Sequence, residues 1–235
     1  MQNKTLLLAF GTILILFASC KKYYFDSGTH DPKYNGSTLQ YMKSKQPFFD
    51  STLVIINLAG LDDVVGKENV TFFAPPSGSV FKSIKRLNIA LKRVGKDTVS
   101  QLNQIKPEVW RATLSQYIFS GSFLLKDYPQ RDTLAYTAYP GQNYSSYGGY
   151  IMNVGTIFND AAGVQYAGYR QLFLGYIPDL SNPQVALQNN PVATSDIQTN
   201  NGVLHVLTKS KHNLGFNTDV FIDQVIASGI LPPNK

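Results

Sequence analysis

Few side chains in this 235-residue sequence could attack, ligate or pass a proton. There is one cysteine, Cys20, and there are three histidines, His30, His205 and His212. A lone thiol cannot close an internal disulfide or build a thiolate zinc or iron–sulfur site. Three histidines offer little for an imidazole metal site or a proton shuttle. A serine hydrolase of the α/β type needs a nucleophile elbow, and no Gly-x-Ser-x-Gly occurs. Asp160, Asp179 and Asp196 could be paired on paper for glycoside hydrolysis, but their spacing gives no support. No His-x-x-Glu spacing and no glycine-rich loop after a strand point to a metal or a phosphate. These residues predict a protein that binds rather than catalyses, with no cofactor.

The remaining reactive atom is the Cys20 sulfur, and its context suggests what reacts with it. Met1 to Lys4 give a short positive start, Thr5 to Phe17 are apolar, and Ala18-Ser19 precede the cysteine. That is the layout of a secretory signal, and Lys21-Lys22 stop the apolar run short of a membrane span. A cysteine directly after two small residues resembles the bacterial lipobox, although Phe17 stands where Leu is usual. The expectation is a signal peptide over residues 1–19, lipid attachment at Cys20 and a tether over residues 20–36. Acyl chains hold a protein on a bilayer by about 0.8 kcal/mol per buried methylene. Lys21-Lys22 after the cysteine favour the outer membrane, on either its surface or its periplasmic face.

Tyrosine is the other conspicuous residue type. Nine of the fourteen tyrosines fall between residues 128 and 190. A tyrosine ring is rigid and flat with a polar rim, suited to protein interfaces and sugar stacking. The run from Tyr139 to Tyr150 reads as a flexible loop that could present Tyr139, Tyr144, Tyr147 and Tyr150 to a partner, or use them to cover a sheet edge. The net charge is +6, gathered at Lys82, Lys85, Arg86, Lys92, Arg93 and Lys96. On a predicted helix these read as a solvated basic face, and an exported protein has no nucleic-acid partner to meet.

The elements that must position these residues follow from periodicity. Leu39, Met42, Phe48, Phe49, Leu53, Ile56 and Leu58 recur at helical steps broken by Pro47, with Ser51 and Thr52 as caps and Gly60 as the stop. Val70 to Ala74 is a strand halted by Pro75-Pro76, Val80 to Val94 an amphipathic helix, and Glu108 to Tyr117 a helix opened by Pro107. Residues 118–210 carry short alternating runs between turn formers, including 150–154 and 202–207. Helices first and strands later predict an α+β domain. Phe216 onward gives a short amphipathic helix ending at Gly229. Charge and position place His212 in an exposed turn.

Four of these segments together resemble the fasciclin family. Val70-Thr71-Phe72-Phe73-Ala74-Pro75-Pro76-Ser77-Gly78-Ser79-Val80-Phe81 is similar to its first signature, a strand, Ala-Pro and a helix start, and Asp196-Ile197-Gln198-Thr199-Asn200-Asn201-Gly202-Val203-Leu204-His205-Val206-Leu207 to its second. Leu114 to Gly121 resembles the central segment, with Ile118 where a His usually follows Tyr117, and Ser51 to Leu61 resembles the opening helix. The resemblance implies a wedge of β-strands, as a sandwich or sheet, flanked by several helices over residues 37–212. The stretch 128–190 would be an insertion and 213–235 a helical tail. Ala74, Pro75, Tyr117, Asn201, Gly202 and His205 would then be structural motif residues. His205, on a strand face among apolar neighbours, reads as a neutral core histidine, with ligand binding or pH sensing as the alternative. In animal relatives an Asp-Ile pair at this position is linked to adhesion. Here Asp196-Ile197 either contacts a partner or caps a turn and fills the core. The implied role is adhesion or protein binding at the cell surface, through a protein or glycan partner; the alternative is a ligand-binding accessory to outer-membrane nutrient uptake.

Overall fold

Ser37 starts the first helix. Its hydroxyl accepts from the Gln40 amide while the Gln40 side chain accepts from the Ser37 amide, a reciprocal cap that opens α1 (Thr38–Ser44). The computed structural model describes residues 32–183 and 187–233. Cys20, the signal segment, His30 and the tether as far as residue 31 lie outside them. The last tether residues are seated: Gln198 donates to the Pro32 carbonyl at 2.6 Å and accepts from Tyr34 at 2.7 Å.

After Pro47 comes α2 (Asp50–Leu58), then α3 (Asp62–Lys67) and β1 (Val70–Ala74). Ser51 and Thr52 do not cap α2, whose N-cap is Phe49. Thr52 donates its hydroxyl to the Pro75 carbonyl at 2.6 Å, and the Ser51 amide donates to the Ser77 hydroxyl at 3.1 Å. These polar groups fasten α2 to the start of α4 (Ser77–Arg93), so tertiary bonding outcompetes local capping. Pro107 opens α5 (Pro107–Leu114), where a missing amide costs nothing, and a 3₁₀ turn carries Tyr117 into β2 (Ile118–Ser120). Four more strands follow, β3 (Gln142–Ser145), β4 (Ile151–Phe158), β5 (Arg170–Tyr176) and β6 (Gln188–Thr199). The chain ends with β7 (Gly202–Leu207) and α6 (Thr218–Ser228).

The fold is α+β, as the pattern predicts. The strands form one seven-stranded sheet in the order β2-β1-β7-β6-β5-β4-β3. Only β1 and β7 run parallel, with Val70 opposite Gly202 and Ala74 opposite Val206. All five residues of β1 and all six of β7 are buried, so β7, whose sequence reads as an alternating run, is in fact covered on both faces. β6 is shared between two halves: residues 188–191 pair with β5, and Val192 to Thr199 pair with β7 across two register shifts. The stretch read as an insertion therefore extends the sheet.

The core gathers Trp110, Phe72, Phe73, Ile55, Ile56, Leu87 and Leu114, each almost fully buried. Burial of such side chains contributes about 1.5–3 kcal/mol apiece. The C-terminal segment belongs to this core. Phe221 packs on Trp110 with ring centroids 5.7 Å apart, and Leu231 donates to the Gln104 carbonyl at 2.8 Å. Gly229, at φ 81, ends α6.

Candidate functional site

The parallel seam of β1 and β7 carries the motif residues. Val70 donates to the Asn201 carbonyl at 3.2 Å, and a Cβ on Gly202 would lie 1.9 Å from the Val70 carbonyl oxygen. Only glycine permits that approach. The Asn201 side chain does more than turn the chain. Its Oδ1 accepts from the Thr38 amide at 2.8 Å, and its Nδ2 donates to the Val65 and Glu68 carbonyls at 3.1 and 2.9 Å. One side chain thus joins the start of α1, the end of α3 and the seam. Ala74 is buried at the other end, where Pro75 gives up its carbonyl to Thr52.

His205 is fully buried on β7. Its Nε2 lies 3.0 Å from the Phe123 carbonyl, which can only accept, and its Nδ1 lies 3.2 Å from the Asp196 amide, which can only donate. The ring is therefore neutral with its proton on Nε2. Burial pushes its pKa down to about 4.

His212 overturns the expectation of an exposed turn, with 1% of its surface accessible. Its Nδ1 is 2.8 Å from Asn190 Oδ1 and its Nε2 is 2.9 Å from the Tyr117 hydroxyl. Asn190 Nδ2 faces the Gln188 carbonyl at 3.1 Å, so its oxygen must face the imidazole and accept from Nδ1–H. The Tyr117 hydroxyl then donates to Nε2 while accepting from the Gly215 amide at 2.7 Å. Phe216 stacks on the Tyr117 ring at 4.6 Å. Burial and then the Lys82 charge push the His212 pKa down to about 3, and burial drives the Tyr117 phenol well above its ordinary value. Charged neighbours in the sequence conceal this histidine; the partner that buries it is Tyr117, 95 residues away. All three members of this hydrogen-bonded chain, Tyr117, His212 and Asn190, are buried.

Asp196 and Ile197 occupy the irregular stretch of β6. Asp196 sits at φ 64 and its carboxylate accepts from the Leu125 amide at 2.7 Å. Burial holds that carboxyl above the ordinary range, against the lowering effect of the Leu125 bond. Ile197 is 7% exposed and lies in the core opposite Leu204.

The four tyrosines of the 139–150 run are dispersed. Residues 142–145 form edge strand β3 paired with β4, not a flexible loop. The glycines and Pro140 that suggest a loop lie at the ends of that strand, where the chain turns, and Gly149 takes φ 78. Tyr144 packs inward against Tyr128 at 5.5 Å and Phe123 at 6.1 Å, and Tyr150 is packed against the core. Tyr147 is exposed at the sheet edge, its hydroxyl 3.4 Å from Glu68. Tyr139 instead meets Tyr166 edge-to-face at 5.8 Å.

That contact defines an exposed aromatic tip between the 132–139 segment and the β4–β5 connection. Tyr166 donates its hydroxyl to Asp132 at 2.8 Å, and its amide donates to Asp160 at 2.8 Å. The hydrogen bond from Tyr166 holds the Asp132 carboxyl below the usual carboxylate range. Tyr169 is 68% and Leu134 97% exposed on these same segments. Positive φ at Ala162 and Tyr166 bends the connection so that this contact forms. Spacing alone could not pair Tyr139 with Tyr166.

Arg131, which nothing in the sequence singles out, is 1% exposed and packs against Gly141, Gly155 and Gly175. Its guanidinium donates to Asn189, and burial pushes its pKa down to about 10. Among the described residues no group of three or more His, Cys, Asp or Glu is placed to hold a metal ion.

No family model and no curated protein matches the chain. Among solved structures, the chain is similar to a FAS1 domain pair from the insect cell adhesion molecule Fasciclin I, with 13% identity and a TM-score of 0.47. The match covers 73% of this chain and 49% of that one, so the chain spans about half the length of the structure it resembles.

Proposed function

We propose that this protein is a non-enzymatic envelope lipoprotein, anchored to the outer membrane through Cys20. Its single fasciclin-like domain mediates adhesion or protein binding. Four motifs in the family's order support the domain reading, and two of them, on β1 and β7, form the parallel seam. The observation that carries the binding role is the exposed tip, where Tyr139 and Tyr166 pack together and Tyr169 and Leu134 stand in solvent. Large exposed aromatic and aliphatic side chains on connecting segments are characteristic of recognition surfaces. Asp196 and Ile197 take no part in this reading, because one holds Leu125 and the other fills the core.

The test is capture of partners from intact cells with the lipidated protein as bait, after external protease has been used to establish surface exposure. Tyr139→Ala, Tyr166→Ala and Tyr169→Ala together abolish capture while leaving the unfolding temperature nearly unchanged. Full capture by the triple variant refutes the tip as the binding surface, and protection from external protease refutes cell-surface adhesion. A glycan partner is the second reading, favoured by Asp132 and Asp160 beside Tyr166, since carboxylates at an aromatic ring edge suit sugar hydroxyls. Binding on a glycan array without a captured protein selects it.

A further inference from the structure

Helix α4 buries Val80, Ser83, Leu87 and Leu91 against the domain. At 3.6 residues per turn its opposite face carries Phe81, Lys85, Ile89, Lys92 and Arg93. Phe81 is 70% and Ile89 47% exposed, although both are large apolar side chains on a regular helix. Five cations and no carboxylate lie between residues 77 and 93. Arg86 approaches Asp219 at 3.8 Å, and Lys82 donates to the Lys209 carbonyl at 2.7 Å. Lys85, Lys92 and Arg93 form no ion pair among the described residues. No described helix is long and apolar enough to cross a membrane, and α4 has a different character, with apolar side chains set within a one-signed basic face.

We propose that this face of α4 docks on an anionic bilayer surface, with Phe81 and Ile89 entering the headgroup boundary and Lys85, Lys92 and Arg93 meeting lipid phosphates. The charge argues for this occupant. An acidic surface complements every unpaired cation on the face at once, and two isolated apolar side chains suit shallow insertion better than a protein groove. The docking is separate from the aromatic tip and from acylation at Cys20, and it would hold the domain against the membrane in a fixed orientation.

The experiment uses residues 32–235, the compact unit that contains the whole described core and lacks the acylation site. Sedimentation is measured with phosphatidylcholine vesicles with and without phosphatidylglycerol. The chain binds the anionic vesicles alone, and binding falls steeply with salt. Each basic residue near such a surface strengthens partitioning roughly fivefold, so Lys85→Gln with Lys92→Gln weakens it roughly twenty-five-fold. Phe81→Gln with Ile89→Gln also weakens it. Unchanged fluorescence-monitored unfolding through Trp110 shows that the variants are folded, and the salt titration of the unaltered chain gives an independent reading. Equal binding to neutral vesicles, salt-insensitive binding, or full binding by the double lysine variant overturns the proposal. Binding to an acidic polysaccharide but to neither vesicle type overturns the lipid as occupant.

Discussion

Acidification from pH 7 to pH 5 destabilises this protein through its two buried histidines. Both folded-state pKa values, about 4 for His205 and about 3 for His212, lie below the ordinary 6.5. Well above pH 6.5 neither state binds a proton at these rings, so they contribute nothing pH-dependent there. Between 6.5 and the folded values only the unfolded chain takes up protons, and stability falls as pH falls. At pH 5 the unfolded imidazole lies about 1.5 units below its pKa, which amounts to about 2 kcal/mol for each histidine. That figure depends on the folded value only in requiring it to lie below 5. Together the pair costs about 4 kcal/mol, a large share of the roughly 5–15 kcal/mol that stabilises a typical domain. Asp196 acts in the opposite sense, because its raised folded pKa means that the native state takes up its proton first. The assay is urea unfolding followed by the single tryptophan, Trp110, whose indole N–H donates to the Leu102 carbonyl at 3.0 Å in the core. With a urea slope of about 2 kcal/mol per molar, the midpoint drops by about 2 M. His212→Gln retains a donor for Asn190 and an acceptor for Tyr117 but cannot titrate, so it loses stability at pH 7 and about half of the pH-dependent drop. An unchanged midpoint between the two pH values, or a full drop in His212→Gln, refutes the neutral buried imidazoles.

Two further predictions concern the frame. Gly202→Ala places a methyl 1.9 Å from the Val70 carbonyl and forces the β1–β7 seam apart; it costs more than about 3 kcal/mol or prevents folding, read as loss of the cooperative urea transition. Tyr117→Phe leaves the Gly215 amide and His212 Nε2 without their buried partner, at a cost of about 2–3 kcal/mol in the same assay, with the Trp110 emission of the native state unchanged.

What the sequence reveals is whatever its neighbours in the chain determine. β1 and β7 are legible because short runs rich in apolar residues lie between turn formers, and α4, α5 and α6 because amphipathic periodicity and a Pro or Gly mark their ends. Asn201-Gly202 is legible as a turn but not as a clamp on α1 and α3, because its partners lie more than 130 residues away. β3 is misread because three polar residues and a tyrosine between glycines carry the composition of a loop, and only pairing with β4 makes them a strand. Tyr166, His212 and Arg131 escape for the same reason: each is defined by what the fold brings to it.

The shared strand β6 also has a mechanical consequence. The β4–β5 hairpin carries the aromatic tip at one end and, near the other, meets β6 through the four pairs from Phe173–Pro191 to Tyr176–Gln188. A partner that pulls on the tip along the hairpin axis draws β5 lengthwise past β6, so these bonds must fail together rather than one after another. Strand direction therefore favours resistance to tension applied along the hairpin.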